Sequence, residues 1–218
     1  MSATSSRTAG RRTSCAAQLS AMRGLVAVGE SALLTVGAGG LHPEGGPGRR
    51  LYAALEVGEI DQAEWNTRTA ALLGAHVVPD NLMGRAWAAV PPARRMAALA
   101  RAAKGAGYRL TLLSNSFGID PFNPYAQAAI WDLFDVHVIS EQVHMAKPDP
   151  AIYELTLERL GLPAEACVFV DDHPRNLPPA EALGITTVLA TEEAATVAEL
   201  ETLLGVSTAL SVQRLPIG

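Results

Sequence analysis

A chain of 218 residues, 49 % hydrophobic and 18 % charged, is long enough for one packed α/β core and a small accessory unit. A formal net charge of −5 gives no electrostatic case for nucleic-acid binding, and no apolar run approaches the length of a membrane span. The two cysteines, Cys15 and Cys167, stand in a polar tail and a predicted buried strand, so no disulfide is expected; that usage suits a reducing cytoplasm. Cys167 reads as a small core residue.

Residues 1–21 are rich in Ser, Thr, Ala and Arg and almost free of large apolar groups. Such a composition buries too little surface to offset ordering entropy, so a mobile tail is expected. No continuous apolar stretch follows the arginines, which argues against a signal peptide; an acid-free, Arg- and Ser-rich segment also suits a transit peptide, a minor alternative. Met22, directly ahead of the first strand, is a second candidate start. Residues 24–28 read as that strand, and 35–48 are too glycine-rich for regular structure. Helical patterns occupy 49–57 and, after Gly58, 61–73, with Asp61 as N-cap, Glu64 three residues on and Gly74 as the stop. A short helix is predicted over 80–90. Trp65, Met83 and Trp87 have the helical spacing of inward-packing residues, whereas Glu56, Glu59 and Glu64 read as a solvated face.

Beyond Pro91 and Pro92 an Ala-rich helix over 93–106 ends at Gly107 and feeds a strand over 108–113. Residues 121–133 contain a helix, and 136–139 a strand. Asp149 as N-cap with Pro150 at the first helical position opens a helix through Leu160, stopped by Gly161. A strand over 167–170, a helix from Pro178 to Gly184, a strand over 186–189 and a helix over 194–204 complete the pattern. Strands alternating with helices at this spacing predict a parallel sheet with right-handed crossovers and helices on both faces.

Three strand-associated stretches carry chemistry. The apolar run 167–170 ends in two carboxylates, Asp171 and Asp172, then His173 and Pro174. Carboxylates at the C-terminal end of a buried strand stand where open α/β sheets bind ligands, and paired hard oxygens are what Mg²⁺ requires; capping of the next helix is the competing reading. The strand over 108–113 runs into Ser114, Asn115 and Ser116. Between the two, Lys147 is presented by a turn flanked by Pro148 and Pro150. A hydroxyl, a lysine and a carboxylate pair, each at or beside a strand end, make a phosphate-and-metal constellation.

On these residues the chain resembles the haloacid dehalogenase (HAD) superfamily, in particular its small α-capped hydrolases. Ser114 matches the second family motif, Lys147 the third and Asp171-Asp172 the fourth, and the stretch from Asn176 to Ala190 matches the helix and strand that the family carries after its fourth motif. The resemblance implies a HAD-like Rossmannoid three-layer sandwich with a parallel sheet: a core from 22–38 and 91–218, and a helical cap over 39–90. It implies a phosphate-ester or related anionic small-molecule substrate and a Mg²⁺-dependent site. Ser114 and Lys147, with Asn115 and His173 beside them, would hold the anion, and Asp171, supported by Asp172, would hold the metal.

One family feature is absent. The superfamily's first strand ends in a nucleophilic aspartate; counted forward from Arg23-Gly24 that position is Val28, and counted back from Leu34-Thr35 it is Gly29. The nearest carboxylate is Glu30. Three readings are open: a phosphohydrolase that recruits Glu30 as nucleophile, metal ligand or base; a pseudoenzyme or binding module that keeps the anion site; or a repurposed enzyme doing acid-base chemistry with Glu30, His144 or His173. For each histidine a surface-loop role is the simpler expectation. Asn176 reads first as a cap of the next helix, and no sequence signal bears on oligomeric state.

Overall fold

The protein is described by a computed structural model over residues 24–26, 47–88, 90 and 92–208. The expected tail over 1–21, Cys15, most of the glycine-rich loop, and Val28, Gly29 and Glu30 lie outside the described residues. Among the described residues one parallel sheet is built from β1 (Gly24–Val26), β2 (Arg109–Ser114), β3 (Val136–Ile139), β4 (Cys167–Asp171) and β5 (Thr186–Leu189), in the order β3-β2-β1-β4-β5. β1 is central: Leu25 lies opposite Leu110 on one side and Val168 on the other.

Among the described residues β1 is followed by α1 (Pro47–Glu56), α2 (Gln62–Leu73) and α3 (Leu82–Trp87). Then come α4 (Arg94–Gly105), α5 (Pro124–Gln127), α6 (Ser140–Val143), α7 (Pro150–Leu160), α8 (Leu177–Ala182) and α9 (Glu193–Leu204). The expected boundaries hold where a cap defines them. Asp61 Oδ1 accepts from the Glu64 N–H at 2.7 Å, Asp149 Oδ1 from the Ala151 N–H at 3.0 Å, and Gly161 ends α7 at φ +67°.

β4 shows why the sheet is a middle layer. Every residue of it is buried, but Val168 and Val170 join the cluster with α4 and α9, while Cys167 and Phe169 join the cluster with α7 and α8. A strand covered on both faces needs a continuous apolar run, and alternate residues then fill opposite layers. Asp171 continues on the Phe169 side, which decides its neighbours.

The structure corrects several expectations. The helix over 80–90 is confined to Leu82–Trp87, and the region 121–133 divides into α5 and a 3₁₀ turn, Trp131–Leu133, across Ala129 at φ +54°. The single-turn α6 was not anticipated. Ser114 and Asp171 are the last residues of their strands rather than the first of the turns. α4 has no cap of its own: Glu193, 98 residues from Arg95, accepts from the Arg95 and Met96 N–H groups at 2.9 and 3.1 Å.

α1–α3 build a separate apolar cluster from Leu55, Ile60, Trp65, Met83 and Trp87, into which Phe117 of the loop after β2 inserts. Gln62, 1 % exposed, bridges the two: its Nε2 donates to the Phe122 carbonyl at 3.0 Å and its Oε1 accepts from the Phe122 N–H at 3.0 Å. Gly58 permits the close approach at the end of α1. It has φ +71°, and a Cβ there would come within 2.3 Å of the Glu141 carbonyl.

Candidate functional site

The site is organised around Asp171, which is fully buried. Its Oδ2 accepts from Lys147 Nζ at 2.7 Å; its Oδ1 accepts from the His173 N–H at 2.8 Å and from Asn176 Nδ2 at 2.9 Å. A buried carboxylate is tolerated only when paired and hydrogen-bonded, and three donors meet that demand. Lys147, 4 % exposed, also donates to the Leu113 carbonyl at 3.1 Å and sits 5.6 Å from the centre of the Phe169 ring. It is a buried lysine rather than a solvated loop residue.

Asn115 holds the backbone that carries this lysine. Its Oδ1 accepts from the Lys147 N–H at 2.7 Å, and its Nδ2 donates to the Lys147 carbonyl at 2.9 Å. The Lys147 loop is thereby fastened to the end of β2.

Ser114, also fully buried, lies one residue beyond the carbonyl that Lys147 contacts, but its side chain turns to the other layer. There Tyr125 O–H donates to its Oγ at 2.7 Å. The structure thus joins Lys147 and Asp171 directly and sets Ser114 beside them. Asp172 is half-buried, and its carboxylate has no hydrogen-bond partner among the described residues. His173 is exposed, touching Asp171 through its backbone, and the exposed His144 meets the Val57 carbonyl at 3.1 Å.

Two residues were misjudged from the sequence. Asn176 occupies the N-cap position of α8 but makes no side-chain cap bond; its amide supports Asp171, and its carbonyl accepts from Tyr153 O–H at 2.7 Å. Burial first, and the Asp171 charge second, push the Tyr153 hydroxyl well above the usual phenol range, so it serves as a donor. Glu56 is not on a solvated face. It is half-buried, and burial raises its carboxyl above the ordinary value against the opposing pull of Arg175, Lys147 and His173. Nothing in the local sequence marks the Glu56 environment, because Lys147, His173 and Arg175 are distant in the chain, whereas Asn176 acts on Asp171 only five residues away. A small pocket of about 70 Å³ opens beside Trp87, Pro92, Phe122 and Gln127 and is bordered by none of Ser114, Lys147 and Asp171.

Among the described residues no three His, Cys, Asp or Glu side chains converge as metal ligands. The oxygens present nevertheless suit Mg²⁺, which takes one or two carboxylates and keeps several waters. Among the described residues neither the Asp172 carboxylate nor the buried Asn176 Oδ1 has a hydrogen-bond partner. Asp171, engaged by three donors, is the less available of the carboxylate pair.

Residues 23–184 match the haloacid dehalogenase-like hydrolase family. The chain belongs to that family. It is 34 % identical over 114 residues to a sesquiterpene phosphatase of Aspergillus oryzae, covering 52 % of this chain and 58 % of that protein. It is 30 % identical over 166 residues to the bifunctional epoxide hydrolase 2 of Rattus norvegicus, covering 69 % of this chain and 30 % of that one. The chain thus spans less than two thirds of these relatives. Among solved structures, a HAD family enzyme of Bacteroides thetaiotaomicron, in complex with magnesium and inorganic phosphate, superposes with a TM-score of 0.59 at 20 % identity, over 78 % of this chain and 94 % of that one. That likeness concerns the fold. The HAD fold places the C-terminal ends of β2 and β4, and with them Ser114, Lys147 and Asp171, on one edge of the sheet.

Proposed function

We propose that this HAD-family protein binds a phosphate ester at the edge of β2 and β4 with the help of Mg²⁺, and that covalent turnover is impaired because Val28 or Gly29 stands at the nucleophile position. The buried 2.7 Å contact between Lys147 and Asp171 carries this reading. An ammonium has three donors; among the described residues Asp171 and the Leu113 carbonyl take two, and the third would meet a phosphoryl oxygen. Ser114 complements it. Its hydroxyl, now paired with the Tyr125 O–H at 2.7 Å, would turn to a second phosphoryl oxygen when the ester binds.

Asp172, with Asn176 Oδ1 and Asp171 behind it, would hold Mg²⁺, whose charge offsets repulsion between the ester and the carboxylates. Asn115 keeps Lys147 in register with Ser114, and the exposed His173 flanks the entrance. Helices α1–α3 act as the cap that excludes water and selects the substrate, in a cytoplasmic protein. The sesquiterpene phosphatase relative supports a phosphate-ester ligand.

Loss of a covalent nucleophile costs on the order of 10⁴ to 10⁶ in rate while binding persists. That loss favours a second reading, a binding or repurposed protein, unless Glu30 replaces the aspartate. Thermal unfolding with inorganic phosphate, with and without Mg²⁺, alongside hydrolysis of p-nitrophenyl phosphate by the wild type and Glu30→Gln, separates them. Expected is Mg²⁺-dependent stabilisation by phosphate that is lost in Asp172→Asn. Turnover abolished by Glu30→Gln makes the protein an enzyme; stabilisation without turnover makes it a binding protein. Absence of any phosphate effect overturns both.

A further inference from the structure

The inner end of α1 supplies a carboxyl that the phosphate site does not use. The Glu56 carbonyl accepts from Ser140 Oγ at 2.6 Å, and that Oγ accepts from the Ser116 N–H at 2.9 Å. Ser116 is two residues from Ser114, so this relay fixes the end of α1 against the loop carrying the anion site. Gly58, pressed on Glu141 and His144, fixes it from the other side. The Glu56 side chain is half-buried and within electrostatic reach of Arg175, Lys147 and His173. It nevertheless has no hydrogen bond or ion pair among the described residues. Lys147 is committed to Asp171, and neither Arg175 nor His173 closes to ion-pair distance.

A half-buried carboxylate without a donor is costly, and a ligand that brings the donor recovers that cost. The same edge already carries Asp172 and must accept a dianionic phosphate, so a further negative charge opposes any ligand without a compensating cation. We infer that Glu56 is a specificity-determining residue that pairs with a cationic ammonium arm on the leaving group, so that the site prefers zwitterionic phosphate monoesters. The phosphate end meets Ser114 and Lys147, and the ammonium end meets Glu56 across the seam between α1 and the strand ends. This rests on the phosphate-binding reading above and narrows it to a substrate class.

Calorimetric titration of the full chain with inorganic phosphate, propyl phosphate and 2-aminoethyl phosphate, all with Mg²⁺, tests it. The two esters are similar in length and differ in the terminal charge. The wild type is expected to bind the aminoethyl ester on the order of tenfold to a hundredfold more tightly than the propyl ester, the range of one charge-assisted hydrogen bond. In Glu56→Gln that ratio falls towards one, and thermal unfolding checks that the variant is folded. Equal affinities in the wild type, or a preference retained in Glu56→Gln, overturn the inference while leaving the phosphate site standing. No binding of inorganic phosphate or of either ester overturns the phosphate reading and this inference together.

Discussion

Two carboxyls near one edge of the sheet have opposite fates. Asp171, at the end of β4, is fully buried and accepts from three donors; Glu56, at the end of α1, is half-buried and accepts from none among the described residues. The first is part of the framework: its charge is matched within the chain, and it fixes where Lys147 and Asn176 lie. Among the described residues the second is held in place only by its backbone, which leaves its charge to whatever enters. Within one site, satisfied groups set geometry and unsatisfied ones set preference.

The largest effect should come from breaking the satisfied side. Lys147→Ala leaves Asp171 buried without its counter-charge, which typically costs about 3–5 kcal/mol; Lys147→Met combined with Asp171→Leu removes both charges and should recover much of it. Denaturant unfolding of the two variants measures the difference, and equal losses would mean that the pair is not the organising contact. Asn176→Ala removes one of the three donors to Asp171 and should cost about 1.5–3 kcal/mol, the range for a hydrogen bond to a charged group. If Asn176 merely capped α8, the cost would be nearer 1 kcal/mol.

The smallest effect belongs to Glu56. Its folded-state pKa is raised by burial, so the charged form is disfavoured in the folded protein. Stability on this account is fully present below the ordinary value of 4.5 and is lost as pH rises through the higher folded value. Glu56→Gln should therefore raise the Tm slightly at neutral pH, and the gain should vanish near pH 4. A loss of stability at neutral pH would mean that Glu56 has a partner in the folded chain.

Much of the core was legible because its signals are local. The apolar run 167–170, the Asp149-Pro150 helix start and the Gly161 stop each specify backbone within a few residues, and the structure retains all three. Lys147 and Asp171, singled out from the sequence for their residue types beside strand ends, are brought into direct contact. The buried packing of Trp65, Met83 and Trp87 also came from helical spacing. The failures were of another kind. Tyr125 beneath Ser114, Gln62 across the seam and Glu193 capping α4 carry no sequence mark, because each acts on residues brought near only by folding. Glu56 looked like any exposed helix residue.

By itself, then, the order of residues determined which segments become strands and helices, where they stop, and which polar groups stand at the strand ends. The tertiary structure alone decided how those groups are used. Lys147 and Asp171 are 24 positions apart, and the end of α1 is 84 positions from the serine that anchors it. Burial, charge pairing and the lack of a partner belong to the packed assembly, since they depend on which surfaces exclude water and which donors come within hydrogen-bond reach once the layers close.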